Sequence, residues 1–265
     1  MPLARLNKFI SRRSTAENEI APSEPVAIAA ARMPDGQRAY VIGDIHGRKD
    51  LLSSLLERVA EDRAQREGAE EHLIFLGDYV DRGPDSSDVI DMLLELKQSE
   101  MNVITLKGNH EAAMMSFLQE PMKGKRWLHY GGDATLRSYG IDLVLAELTE
   151  EKIREAGKKL KRNLPDSHLR FISSLEASSM MGDYLFVHAG IEPGRPIDDQ
   201  KEHDLLWIRD DFLEHTGLFD KVIVHGHSII PEPEFKDNRI GIDTGAFYSN
   251  ILTCLVLEGE SKEIL

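Results

Sequence analysis

The chain has 265 residues, 41% of them hydrophobic and 29% charged, enough for one large α/β domain with a substantial core or for two small ones. Thirty-two Lys and Arg against 46 Asp and Glu leave a net charge of −14, which disfavours nucleic acid as a partner and requires any phosphate site to be locally positive. No run of about 18 apolar residues marks a membrane span, the opening residues lack the apolar core of a secretory signal, and the single Cys254 has no partner for an internal disulfide, so a reducing, cytoplasmic setting is expected.

Residues 1–38 read differently from the rest. In "MPLARLNKFISRRST" Leu3, Leu6 and Ile10 fall on one helical face, with Arg5, Lys8, Arg12 and Arg13 elsewhere, a pattern that suits weak contact with a membrane surface. The stretch behind it, "APSEPVAIAAARMPDG", reads as a linker, and a flexible tail over 1–38 is the preferred assignment. Residues 39–265 are expected to form a single domain.

From Arg38 onward the pattern alternates. "RAYVI" predicts a strand, and Leu51, Leu52, Leu55, Leu56 and Val59 recur at helical spacing after it. "HLIFL" predicts a second strand, followed by a helix with Asp85 at its N-cap and Val89, Ile90, Leu93 and Leu94 on its apolar face. "NVITL" is a third strand, with a helix from about Glu111. Such alternation builds parallel βαβ units in a covered sheet, whose ligands gather at the carboxyl ends of the strands. Residues 112–180 are rich in helix formers and read as a helical insertion. "YLFVH", "KVIVHGH", "NRIGID" and "NILTCLVLEG" restore the strand pattern and suggest a second sheet. Cys254 sits in the last of these, where a buried, inert thiol is expected.

Five strand ends carry polar loops: "GDIHG" at 43–47, "GDYVDRG" at 77–83, "GNHE" at 108–111, "VHAG" at 187–190 and "VHGHS" at 224–228. Their Asp, His and Asn are hard and borderline ligands that suit Mn, Fe or Zn, and the glycines let the backbone approach an ion closely. Each loop alone is compatible with ordinary turn chemistry. Their conjunction in one α/β chain is the specific signal.

The ordered set "GDIHG", "GDYVDRG", "GNHE", "HAG" and "GHS" resembles the phosphoprotein phosphatase family of metallophosphoesterases, in particular its bacterial and phage branch. "RWLHYGG" at 126–132, "LLWIRDD" at 205–211 and "IDTGAFYSNILT" at 242–253 extend the resemblance over about residues 38 to 260. It implies a calcineurin-like β-sandwich flanked by helices and a site for two divalent ions, Mn²⁺ foremost, with Fe, Zn or Co also accepted. It implies Asp44 and His46 on the first ion, Asp78 bridging both, and Asn109, His188 and His227 on the second. His225 is then structural or supporting.

The resemblance implies that the two ions would activate a shared water for in-line attack on phosphorus. Arg82 and Arg209 match the family's phosphate-binding arginines, whose planar forks suit bidentate contacts. His110 matches the general acid and Asp81 its carboxylate partner. Asp243 is expected to give turn or supporting contacts, Trp127 and Trp207 to pack near the mouth, and Glu111 to act as a first-turn charge or a loop brace.

The expected activity is a phosphomonoesterase acting on phosphorylated protein or peptide, at serine or threonine with tyrosine also open. A symmetrical diadenosine tetraphosphatase is the alternative on the same scaffold; Asp81 and Glu111 weigh for the phosphoprotein. An inactive phosphoprotein-binding scaffold is the alternative of another class, disfavoured because no ligand is missing. The oligomeric state is not readable.

Overall fold

The computed structural model describes residues 25–66 and 68–265; the basic helix expected around Leu3, Leu6 and Ile10 lies outside them. In chain order the regular elements are β1 Gln37–Ile42, α1 Lys49–Gln65, β2 Glu70–Phe75, α2 Ser86–Leu96, β3 Asn102–Thr105, α3 Asn109–Gln119, α4 Gly132–Ser138, α5 Glu150–Asn163, α6 Asp166–Ser173 and β4 Ser178–Met181. They continue as β5 Tyr184–Val187, α7 Glu202–Trp207, α8 Asp210–Leu213, β6 Val222–His225, β7 Glu234–Lys236, β8 Arg239–Gly241, α9 Ala246–Ser249, β9 Cys254–Glu258 and β10 Ser261–Ile264.

Two five-stranded mixed sheets result, in the orders β10-β9-β1-β2-β3 and β4-β5-β6-β8-β7. β1, β2 and β3 run parallel, as do β5, β6 and β8. The side-chain period of two then sorts the core. Ala39 and Val41 of β1 face Phe186 of β5 and Val224 of β6 in one cluster between the sheets. Tyr40 and Ile42 point the other way, into a cluster with Leu52 of α1, Val89 of α2 and Phe117 of α3. A third cluster packs Leu205, Phe212 and Phe219 on the outer face of β5 and β6. Both faces of each sheet are thus covered, which is why the strands read as continuous apolar runs. This is the two-sheet sandwich flanked by helices that the resemblance implies.

Three expectations are corrected. The "NILTCLVLEG" strand joins the first sheet, not the second, because β9 pairs antiparallel with β1 from Arg38↔Glu258 to Ile42↔Cys254. The insertion over 112–180 is helical in α3 to α6 but ends in strand β4, which pairs with β5; its polar "SSMM" carried too little apolar signal. Part of the tail assigned to residues 1–38 is packed: Val26 and Ile28 N–H donate to the Phe219 and Asp237 carbonyls, and Ala31 and Met33 are buried against the inter-sheet cluster. Asp85 occupies the N-cap position of α2, yet its side chain makes no capping bond. No described helix is long and apolar enough to cross a membrane.

Phe186 is fully buried between the sheets. Phe186→Ala is expected to destabilise the fold by about 3–5 kcal/mol in urea unfolding; a loss under about 1 kcal/mol would contradict this account of the core.

Candidate metal centre

The loops after β1, β2, β3, β5 and β6 meet at one end of the two sheets and bring buried polar groups together. His46, Asp78 and His110 place donor atoms within 4.8 Å of one another, and so do Asp78, His188 and His227. Asp78 belongs to both groups. Its Oδ2 lies 3.5 Å from His46 Nε2, and its Oδ1 lies 3.4 Å from His188 Nε2. Burial opposes ionisation of Asp78, yet His188, His110 and His46 around it hold its carboxyl well below the usual range.

The histidine rings are set up as ligands. His46 Nδ1 is 2.8 Å from the Val80 carbonyl and His188 Nδ1 is 2.9 Å from the Leu76 carbonyl. A backbone acceptor there takes the ring N–H and turns the Nε2 lone pair inward. His46 Nε2 and His227 Nε2 are buried with no hydrogen-bond partner. His188 Nε2 faces Asn109 Oδ1 at 2.8 Å and His227 Nδ1 at 3.2 Å. Burial drives His46, His188 and His227 down to their neutral, coordinating forms. Converging lone pairs beside an ionised carboxylate call for cations, so these residues fit divalent ions.

Asp44 falls outside both triplets. Its two oxygens accept the His227 N–H at 3.2 and 3.0 Å, and a Cβ at Gly226 would overlap its carboxylate. Burial first, then Asp243 and Asp78, push its carboxyl well above the usual range. Its neighbour in charge is therefore Asp243 as much as the expected His46. Asp243 is itself pushed up to about 6, chiefly by burial, and its Oδ1 accepts the Gly245 N–H. His225 packs against Phe212 at 5.1 Å and belongs to neither group.

Backbone strain marks the same residues. Six described non-glycine residues have left-handed φ, and five of them are His46, Asp78, Asp81, Arg82 and His227. Such positions persist only where surrounding contacts over-determine them. Glu111 supplies the contacts at Asp78. Fully buried, it accepts N–H groups from Asp78 and Gly108 at Oε2 and from Tyr79 and Val80 at Oε1, all between 2.8 and 3.2 Å. The loop-brace reading of Glu111 describes this geometry. A Cβ at Gly108 would overlap Asp78, so that motif glycine allows two loops to touch.

His110 and Asp81 form a second unit. His110 Nδ1 is 2.6 Å from Asp81 Oδ2. Burial works against the imidazolium, but Asp78 and then Asp81 outweigh it and hold His110 up at about 8. Asp81 is anchored by two residues not singled out for this from sequence: Trp127 Nε1 donates to its Oδ2, and Thr135 Oγ1 to its Oδ1, each at 2.6 Å. Trp127 is thus more than the packing residue expected. Its indole is buried and polar at one end, a combination that implies a hydrogen-bond acceptor; Thr135 carried no sequence signal.

An arginine stands near each group. Arg82 Nη2 is 3.1 Å from His110 Nε2, and its guanidinium sits 4.6 Å over the Phe247 ring. Arg209 Nη1 donates to Ser228 Oγ at 3.2 Å, beside His227.

The family model for calcineurin-like phosphoesterase matches residues 37–246, which contain all of these residues except Phe247. The chain belongs to the calcineurin-like phosphoesterase family. It is 29% identical over 239 residues to the bis(5'-nucleosyl)-tetraphosphatase PrpE [asymmetrical] of Anoxybacillus flavithermus, covering 81% of this chain and 88% of that protein. It is 27% identical over 238 residues to the protein of that name from Oceanobacillus iheyensis, covering 80% and 86%. In fold it is similar to a structure attributed to a diadenosine tetraphosphatase (TM-score 0.60, 21% identity, 89% and 97% covered). A cold-active protein tyrosine phosphatase is similar as well (TM-score 0.57, 19% identity, 89% and 82% covered).

Two measurements probe this geometry. In metal-free protein the His110 ring is expected to titrate near 8, above its value of about 6.5 in an unfolded chain. Its contribution to stability is then complete below about pH 6.5 and lost as pH rises through 8. Asp81→Asn should lower the midpoint by about one unit or more, read from the ring proton by NMR; an unmoved midpoint would remove Asp81 as its partner. Glu111→Gln keeps one acceptor oxygen and should cost about 2–5 kcal/mol in urea unfolding, with divalent-ion affinity down about 10- to 100-fold. A variant of wild-type stability would contradict the bracing role.

Proposed function

We propose that this chain is a two-metal phosphoesterase that hydrolyses bis(5'-nucleosyl) tetraphosphates asymmetrically, to a nucleoside triphosphate and a monophosphate. The observation that carries the chemistry is Asp78, one buried carboxylate shared by two groups of histidines, with Arg82 beside His110 of one group and Arg209 reaching Ser228 next to His227 of the other. The similarity to proteins named asymmetrical tetraphosphatases, over most of both chains, supports the nucleotide. The phosphoprotein preference drawn from Asp81 and Glu111 loses its force on the geometry. Glu111 is consumed by four backbone N–H groups. Asp81 is fully buried and faces His110, Thr135 and Trp127. Neither reaches the part of a substrate beyond its phosphate. The symmetrical cleavage weighed from sequence gives way to the asymmetrical one for the same reason of relatedness.

Asp44, His46 and Asp78 would hold one ion, and Asp78, Asn109, His188 and His227 the other; the metal's identity is left to experiment. Bound divalent ions supply Lewis-acid polarisation and activation of water. The chain's own residues do the rest. Arg82, beside His110, and Arg209, beside Ser228, would donate to phosphoryl oxygens and offset the charge that builds there. His110, oriented through Nδ1 by Asp81, would hold a proton at Nε2 for the leaving oxygen once Arg82, whose Nη2 lies 3.1 Å from that atom, turns to the phosphate.

A second reading has its own support. A polyphosphate leaves easily, whereas an alkoxide needs a proton, and His110 held up at about 8 suits that need. Hydrolysis of phosphoserine or phosphothreonine peptides is therefore tested alongside. Purified protein with Mn²⁺ is expected to convert diadenosine tetraphosphate to ATP and AMP faster than it releases phosphate from a phosphopeptide panel. Two ADP, or peptide turnover alone, would overturn the proposal. Chelation should abolish turnover. His110→Asn should slow an alkyl phosphomonoester by roughly a hundredfold or more and the dinucleotide by less; equal rates with wild type on both would remove His110 from the chemistry.

A further inference from the structure

We propose that Trp207 is the stacking platform for a nucleobase, so that the phosphate site continues into a base site on the His227 side. This inference rests on the nucleotide reading above and goes on to name the residue that recognises the base.

Trp207 ends α7 and is 42% exposed, whereas Trp127 is 2% exposed. Leaving a large ring in water at the mouth of a polar site forgoes apolar burial that a ligand can restore. Its centroid lies 6.5 Å from that of His227, with the planes at 81°. The His203 ring stacks at 6.5 Å and 25°. Arg209 comes two residues later and reaches Ser228 beside the same histidine. A flat apolar ring and a guanidinium therefore stand together at the second group of ligands. A nucleoside phosphate presents the complementary pair, a base face and a phosphate.

The ring on the opposite side is not equivalent. Phe247 lies 5.6 Å from His46, but the Arg82 guanidinium sits over it at 4.6 Å and Tyr248 packs at 5.2 Å. The charge around Trp207 also selects the moiety. Asp204, Asp210 and Asp211 add negative charge on α7 and α8, while Glu202 is paired with Lys107 at 2.6 Å; this disfavours a second phosphate on these helices and leaves the uncharged base as the ring's partner. Stacking of a base on an aromatic side chain tolerates any base, since each has a π-face.

Trp207 reports on itself, because it is one of only two tryptophans. In the full-length protein with Mn²⁺, AMP is expected to quench tryptophan emission saturably, while ribose 5-phosphate, the same phosphate without the base, leaves it unchanged. Trp207→Phe should remove the quenching. In turnover of diadenosine tetraphosphate, Trp207→Ala should raise KM about tenfold, within the range measured for losing one stacked base, with a smaller change in kcat, and Trp207→Phe should restore KM to within about threefold. Equal quenching by the two probes, or no quenching by AMP, overturns the assignment. So does a Trp207→Ala variant that loses kcat with KM unmoved, the signature of a ring that merely supports Arg209. A protein that hydrolyses the dinucleotide without AMP quenching sinks the Trp207 assignment alone; one that leaves the dinucleotide intact sinks the nucleotide reading itself.

Discussion

Four backbone N–H groups from two different loops end on the carboxylate of Glu111, and that convergence holds Asp78 in a left-handed conformation between two sets of ligands. Without it, a non-glycine residue at φ 51° would relax toward the right-handed or extended regions, at a gain of about 1–2 kcal/mol. Relaxation would swing the shared oxygens away from His46 and His188. Strain at Asp78 and satisfaction at Glu111 are two sides of one arrangement. The glycines at 77 and 108 make it possible by letting the loops after β2 and β3 come into contact.

The electrostatics depend on the same point. Asp44, Asp78 and Asp243 are each about 2% exposed or less, and three carboxylates confined together repel strongly where the dielectric is low. Neutral histidines with inward lone pairs surround them. Such a combination is costly for a bare protein and favourable around cations. It also answers the problem posed by a net charge of −14. An acidic protein can take an anionic substrate when the local field is set by metal ions and by Arg82 and Arg209 rather than by the surface as a whole.

Much of this was legible in the sequence, because strand ends capped by Gly-Asp, Gly-Asn-His and Gly-His are local signals. The parallel strands β1 to β3 needed no long-range information, and the resemblance carried by the motif order named His46, Asp78, His110, His188 and His227, which lie together here; Asp44, named with them, falls outside both groups. What escaped depended on contacts distant in sequence. The pairing of β9 with β1 is fixed by register between segments far apart in the chain, not by the composition of "NILTCLVLEG". Trp127 and Thr135 reach Asp81 from the helical insertion, and neither spacing nor residue type announces that. The four donors on Glu111 also converge only in three dimensions, so residue type alone leaves it between two roles. The substrate was least legible, since Asp81 and Glu111 face inward and carry no information about the group beyond the phosphate.

The central claim is that two cations bind side by side through Asp78. Titrating Mn²⁺ into chelator-stripped protein by calorimetry, with bound metal counted after dialysis, tests it most directly. The account predicts two ions per chain in the wild-type protein and loss of both tight sites in Asp78→Asn. One ion per chain at saturation, or two ions retained by Asp78→Asn with undiminished affinity, would contradict it.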